Sequence, residues 1–340
     1  MHSFDMLRKL CLADGVSGDE DTVRNIILDE ITPFADKIEI SPLGNIIAFK
    51  SGGKRAPVKL MLSAHMDEVG FIITHITDGG LLKFDTVGGI DRRILPGKPV
   101  LLSGGVQGVI GVKPIHLLKK GEEGKSVPLD ELYIDIGALS REEAEKYVVL
   151  ASTAAFVSSF DTSHGMIKSK ALDDRAGCAI LVDIIKSDLK YDMVFVFTVQ
   201  EEAGLNGAKT AANHVRPEAA VVVECTTAAD VPGSENAVCR LGGGAAVSFM
   251  DRRTIYDKEY FKEAFAAAKA AKVKCQPKTA VAGGNDAGAI HACGSGVRTA
   301  AVSVPCRYIH SPAGMISQKD FLSAEKVVTG LAERIAGGHA

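Results

Sequence analysis

A chain of 340 residues is too long for one domain of ordinary size and comfortable as two. Its 39 basic and 42 acidic residues leave a net charge of -3 and no basic footprint for nucleic acid, and a 46% hydrophobic, 24% charged composition is that of an ordinary globular protein. No apolar run approaches bilayer-spanning length, Met1-His2-Ser3-Phe4-Asp5-Met6 lacks the layout of a signal peptide, and seven scattered cysteines without a CxxC pair suit a reducing cytoplasm.

Residues 3–35 hold two helical patterns. Phe4, Leu7, Leu10 and Leu12 form the first; Ser17 and Asp19 offer N-caps to the second, which carries Val23, Ile26, Ile27 and Ile31. Residues 37–40 and 45–49 read as short strands joined by the turn Ser41-Pro42-Leu43-Gly44. Residues 58–64 read as a buried strand ending in His65-Met66-Asp67-Glu68-Val69-Gly70. From about Phe71 to Ile167 the texture changes to short strand-like runs at 71–76, 81–87, 99–103, 107–112, 133–136, 148–151 and 155–159. Gly79-Gly80, Gly88-Gly89, Gly104-Gly105 and Gly121 punctuate them, which suggests a small all-β barrel or sandwich. The α/β rhythm returns at Ala171, with a helix at 175–186 and a strand from Met193 that ends in Gln200-Glu201-Glu202-Ala203-Gly204. A helix near 206–214, a strand at 219–223, an Ala-rich helix at 260–272, a strand at 297–304 and a helix at 319–335 follow. The expectation is an α/β fold with a discontinuous domain, 1–70 plus 165–340, receiving an inserted β domain at 71–164.

Titratable residues gather where predicted strands stop or helices start: His65 and Asp67, Asp173 and Asp174, Glu201 and Glu202, Glu224, and His310. Each has a bland reading. Glu201-Glu202 could be a solvated loop, Asp173-Asp174 a helix cap and Glu224 a wet strand end; His75, His116, His164, His214 and His291 are taken as structural. If the strands share one parallel sheet, however, their ends converge on one edge. So many carboxylates repel one another unless divalent cations relieve the conflict, and a mixed His and carboxylate set suits zinc, cobalt or manganese. Two metals roughly 3.5–4 Å apart are the usual hydrolytic arrangement. Asp67, two residues after His65, is placed to accept from the second imidazole nitrogen.

Five segments, His65-Met66-Asp67, Ala171-Leu172-Asp173-Asp174-Arg175-Ala176-Gly177, Gln200-Glu201-Glu202-Ala203-Gly204, Glu224-Cys225-Thr226 and Arg307-Tyr308-Ile309-His310-Ser311-Pro312, resemble the M42 family of metallo-aminopeptidases, the TET-like group with glutamyl and deblocking members. The resemblance spans nearly the whole chain. It implies an αβα sandwich with an inserted, PDZ-like β-barrel, two divalent metal ions per subunit, and short peptides as substrates. Asp173 would bridge the metals, His65 and Glu224 would complete one site, and Glu202 and His310 the other. Asp67 would stand behind His65, Glu201 would be the general base for a bridging water, and Asp174 would act through the backbone that aims Asp173. A tetrahedral dodecamer is the assembly implied, with the β insertion contributing to subunit contacts or substrate access.

Glu224 departs from the family pattern, where Asp is commoner; Asp230 is a competing ligand of lower rank. Gly242-Gly243-Gly244 and Gly283-Gly284-Asn285-Asp286-Ala287-Gly288 read as loops at the sheet edge. Asp286 is a candidate contact to substrate or a neighbouring loop, and Arg252-Arg253 a candidate holder of an acidic side chain. Two other functions use parts of this pattern. An M20-like deacylase or carboxypeptidase shares the metal frame, but its insertion is typically an α/β lid, which the β-rich 71–167 segment disfavours. A carbohydrate-active enzyme would leave His65 and His310 unexplained and lacks the aromatic platforms, with no Trp and 6% aromatic residues.

Overall fold

Four strands, Leu60–His65, Met193–Thr198, Ala219–Thr227 and Arg298–Arg307, are built almost wholly of buried residues. Strands with no wet face belong in the middle of a sheet covered on both sides. In the computed structural model, which describes residues 3–118, 120, 124–234 and 238–339, they lie parallel and adjacent at its centre. Met193–Thr198 pairs with Leu60–His65, that strand with Ala219–Thr227, and Ala219–Thr227 with Arg298–Arg307. The hairpin of Lys37–Ile40 and Ile46–Lys50 extends one edge; Ala245–Ser248 and Cys275–Lys278 extend the other. Met166–Ser169 and Gly314–Ser317 form a ribbon on the end of Arg298–Arg307, completing ten strands.

The alternation of strand side chains separates two apolar layers. Phe195, Phe197, Val221, Val223, Val302 and Val304 pack with helices Ser3–Leu12, Asp21–Ile31, Leu172–Lys186, Lys258–Ala270 and Gln318–Ala336. Val194, Val196, Ala220, Val222 and Ala301 pack on the opposite face with Asn206–Val215 and Ala287–Ile290. The result is the αβα sandwich. None of the described helices is long and apolar enough to cross a membrane.

Gly70–Ile76, Leu82–Val87, Tyr133–Asp135, Val106–Gly111, Pro99–Leu102 and Thr153–Phe156, in that spatial order, close into a barrel. Its hydrophobic cluster is its own: Phe71 meets Phe84 and Phe156 edge-on, with ring centroids 5.1 Å apart in both pairs. The run at 148–151 is a turn and not a strand. Val149 and Leu150 are both exposed and Ala151 sits at φ 68°, so the residues lack the in–out alternation a barrel strand requires. Four strands went unanticipated: Met166–Ser169, Ala245–Ser248, Cys275–Lys278 and Gly314–Ser317. Each has only four residues, and Pro277 is tolerated because its strand is an edge. The expected turn at Gly121 and the Met1-His2 start lie outside the described residues. The helix at 21–31 is capped at Glu20 without a side-chain bond. Ser17 and Asp19, the expected caps, are engaged elsewhere: Ser17 Oγ donates to Asp67 Oδ2 at 2.5 Å, and Asp19 accepts from Thr153 Oγ1 at 2.5 Å.

Candidate active site

Parallel strands carry their C-terminal ends to one edge, and that edge gathers the predicted residues. His65 is the last residue of its strand, opposite Thr198 in register. Glu201 and Glu202 follow shortly after Thr198, and His310 lies three residues past Arg307. Glu224 lies inside the strand Ala219–Thr227, opposite Ser303, and is buried. The strand therefore runs beyond the expected 219–223, and Glu224 is no solvated end. Asp173 opens the helix Leu172–Lys186, where residues 173 and 174 are non-helical and joined by a cis peptide bond. Among the described residues nine non-glycine residues have positive φ, and five of them, Ala171, Gln200, Leu205, Tyr308 and His310, flank these motifs. Backbone strain concentrated in this way is a mark of functional sites.

Asp173 stands at the centre. Its Oδ1 lies 3.5 Å from His65 Nε2 and its Oδ2 lies 3.3 Å from His310 Nε2. Glu224 Oε2 is 3.9 Å from His65 Nε2, and Glu202 Oε1 is 3.0 Å from His310 Nε2. The other nitrogen of each ring is held by the protein: His65 Nδ1 meets Asp67 O at 3.1 Å and Asp67 Oδ1 at 3.4 Å, and His310 Nδ1 meets Gly89 O at 2.8 Å. Asp67, fully buried, accepts from Glu201 N at 3.0 Å and Glu202 N at 3.1 Å. Asp174 accepts from Gly177 N at 2.9 Å and His65 N at 3.3 Å.

Burial sets the electrostatics. It pushes the Glu201 and Glu224 carboxyls well above the ordinary range, reinforced by neighbouring carboxylates, and does the same to Asp174. Burial alone would lower the imidazoles. The carboxylates beside His65 outweigh it and raise that ring well above its usual value, and Asp173 and Glu202 hold His310 at about 11. Burial likewise opposes ionised Asp173 and Asp67, yet adjacent imidazoles and hydrogen bonds keep both below the ordinary range.

Asp173 Oδ1, Glu202 Oε1 and Glu224 Oε1 are buried without an aligned hydrogen bond from any described donor. Orphan anionic oxygens cost free energy unless a cation meets them. Ligand atoms of His65, Asp173 and Glu202, and of His65, Asp174 and Glu224, lie within 4.8 Å of one another. The residues therefore fit a divalent metal, and the mixed nitrogen and oxygen donors favour a transition ion. A cleft of about 190 Å³ opens beside them, walled by Glu201, Glu224, Thr226, Lys278 and Asn285 among others.

Other expectations changed. Asp230 is no free ligand: Arg307 grips both its oxygens, at 2.7 and 2.9 Å. Asp286 does not face the cleft; it is buried and accepts from Thr198 Oγ1 at 2.5 Å, with burial pushing its carboxyl up to about 6. Its neighbour Asn285 lines the cleft instead. Arg252 and Arg253 are exposed and outside the cleft wall. Sequence reasoning missed Glu68, Lys170 and Arg175, a fully buried network in which Glu68 Oε1 takes Lys170 Nζ at 2.6 Å and Arg175 Nη2 at 3.3 Å. The signal was adjacency: Glu68 follows Asp67 and Arg175 follows Asp174. It also missed Lys278.

A parallel sheet that delivers two imidazoles and several carboxylates to one edge, beside a cleft, defines a hydrolase of the metallopeptidase type. The family model described as M42 glutamyl aminopeptidase matches residues 44–327, and the chain belongs to that family of aminopeptidases. A relative in Acetivibrio thermocellus is 41% identical over 327 residues, spanning 96% of this chain and 97% of its own. The TET aminopeptidase of a marine-sediment Thaumarchaeota archaeon superposes with a TM-score of 0.94 at 33% identity, covering 99% of both chains. The Pyrococcus horikoshii TET1 peptidase, described as assembling into a tetrahedron or a large octahedral shell, gives 0.86 at 34% identity over 97% of this chain and 99% of its own.

Proposed function

We propose that this aminopeptidase holds two divalent cations, from among zinc, cobalt and manganese, and removes N-terminal residues from short peptides. The observation that carries the reading is Asp173, whose two oxygens face different histidines at 3.5 and 3.3 Å. Asp173 would then be shared, with His65 and Glu224 completing one site and Glu202 and His310 the other. When bound, such cations polarise the scissile carbonyl and acidify water. Asp67 and the Gly89 carbonyl fix the imidazoles so that each presents Nε2 to the cluster. Asp174, bonded to Gly177 and His65 backbone, shapes the turn that aims Asp173. Glu201 is the base: it takes a proton from the attacking water and returns it to the leaving amine. Glu201 lines the cleft next to Glu202, which suits it to that exchange.

The side chain of the first residue enters the 190 Å³ cleft, where Lys278 is the one lysine or arginine among the described residues of the wall. Asn285 Oδ1 is already engaged by Ala287 N at 2.9 Å and Tyr256 Oη at 3.3 Å, which turns its amide N–H groups elsewhere. These donors favour an acidic or amide side chain over a basic one. We further propose the division into a catalytic body, 1–70 with 165–340, and an insert, 71–164, that makes subunit contacts. Exposed Ile115, Leu117, Leu139, Tyr147, Val149 and Leu150 on the insert support such contacts, and the similarity to TET peptidases that form a dodecamer or a tetrahedron supports a tetrahedral dodecamer as the assembly. Seven free cysteines support a cytoplasmic setting.

Glu201→Gln tests the assignment. Metal content, read by elemental analysis, is expected to stay at the wild-type level while kcat falls by roughly 10²–10⁴. Retained turnover on an aminoacyl chromogenic substrate would remove Glu201 from the role of base.

A further inference from the structure

Beyond Thr198 the chain leaves the sheet, so the polar groups of the next residues need other partners. The turn that follows takes the carbonyls: Gly207 N binds Val199 O, Asn206 N binds Gln200 O, and Gly204 N and Leu205 N bind Glu201 O. Only glycine fits at 207, since a Cβ would come within 2.2 Å of Val199 O. Each of the four N–H groups donates to a side chain from a distant part of the sequence. Val199 N reaches Asn45 Oδ1 at 3.0 Å, Gln200 N reaches Glu20 Oε1 at 3.1 Å, and Glu201 N and Glu202 N reach the two oxygens of Asp67. Gln200 is held at φ 55°, in the left-handed region, so the local sequence does not favour this path unaided.

Of these three acceptors, Asn45 also binds Gly207 O and Thr210 Oγ1, and Asp67 also faces His65. Glu20 is different. It is buried, occupies the N-cap position of its helix without a side-chain capping bond, and spends Oε1 on Gly18 N at 2.7 Å and on Gln200 N. The segment that carries it is tied on both sides of the site: Ser17 Oγ to Asp67, Ser17 N to Glu68 O at 3.3 Å, and Asp19 to Thr153 of the barrel.

We propose that Glu20 is a positioning residue for the reaction: by accepting the Gln200 N–H it sets the backbone from which the Glu201 carboxylate reaches substrate. This rests on Glu201 acting as the base. Residues 15–20 then form a strap across the catalytic loop, anchored at its far side to the barrel.

The test is a variant series assayed with an aminoacyl chromogenic substrate on the metal-loaded full chain. Glu20→Ala is expected to lower kcat on the order of tenfold at unchanged KM and metal content, and Glu20→Gln, which keeps an acceptor oxygen, to restore most of it. Glu20→Asp withdraws the oxygen by one methylene and carries the same test should Glu20→Ala not fold. A merely structural role would not survive the next arm. In a Glu201→Gln background Glu20→Ala is expected to cost nothing more, because its effect runs through Glu201. Wild-type kcat in the folded variants, a Glu20→Gln as slow as Glu20→Ala, or a further tenfold loss in the double variant overturns the proposal. Wild-type turnover of Glu201→Gln alone would instead locate the failure in the base assignment, and the proposal would fall with it.

Discussion

Glu68→Ala should destabilise the α/β layer severely, though the carboxylate's hydrogen bonds and ion pairs go to Gly15, Lys170 and Arg175 and not to a proposed metal-binding side chain. The carboxylate is buried between two buried cations, taking Lys170 Nζ at 2.6 Å, Arg175 Nη2 at 3.3 Å and Gly15 N at 3.1 Å on one oxygen. Lys170 keeps one other carboxylate, the partly exposed Asp14 at 3.0 Å. Arg175 keeps no second carboxylate among the described partners: Nη2 retains only the neutral Gly15 carbonyl at 3.4 Å, and Nε and Nη1 already lack acceptors. Removing one member of a buried ion pair costs about 3–5 kcal/mol because the partner's charge is left uncompensated. An orphaned Gly15 N–H adds about 1 kcal/mol or more, so the total is set near 4–6 kcal/mol. Against an ordinary stability of about 5–15 kcal/mol that is a large fraction. Glu68→Gln retains an acceptor and should lose about half as much, since the hydrogen bonds persist while the charge does not. Urea unfolding followed by far-ultraviolet circular dichroism, at one protomer concentration, reads both. A Glu68→Ala chain weakened by less than about 1 kcal/mol would refute the view that this network is held by charge compensation.

Three further outcomes are expected. Lys278→Glu should invert the preference in the cleft, lowering kcat/KM for glutamyl chromogenic substrates about tenfold or more relative to lysyl ones; an unchanged ratio would remove Lys278 from substrate selection. Chelation should abolish turnover and lower the thermal midpoint, because the orphan oxygens of Asp173, Glu202 and Glu224 lose their cation; zinc, cobalt or manganese should restore both, and full activity in chelator would end the metal reading. Light scattering should report an assembly far larger than a 35.8 kDa chain, and a strictly monomeric active enzyme would count against the insert as a contact surface.

Much of this site was legible because its side chains sit at punctuation points of the sequence. A strand buried on both faces is a continuous apolar run, so the residue that breaks it, such as His65 after Leu60–Ala64 or the Glu201-Glu202 pair after Val199, announces itself. Parallel pairing then brings those breaks to one edge without further information. Glu224 was the hardest of the set because the apolar run resumes after it, with Cys225 and Thr226 both buried and the strand reaching Thr227. Short strands were not legible: four residues such as Met166–Ser169 carry too little periodicity, and their partners supply the reason for their shape. Ser17 and Asp19 misled for a related reason. Their hydroxyl and carboxylate suit a helix cap, but a buried Asp67 and the barrel's Thr153 compete for the same atoms, and neither competitor is near in sequence.

The same separation explains why the proposed catalytic pair, Glu201 and Glu202, could be seen while its support could not. Gln200 finds Glu20 across 180 positions, Val199 finds Asn45 across 154, and Glu201 finds Asp67 across 134. No periodicity or local propensity encodes a hydrogen bond between a loop amide and a side chain that far away. What encodes it is the requirement that a buried backbone leaving a sheet satisfy every N–H, so the support becomes visible only once the fold places Glu20, Asn45 and Asp67 around the same turn. That requirement also predicts where substitutions outside the site will be felt. An acceptor lost from this clamp is expected to act on Glu201 through the backbone of its own turn, whereas an equally buried residue of the barrel core, such as Phe84, has no such path and should change stability without changing kcat.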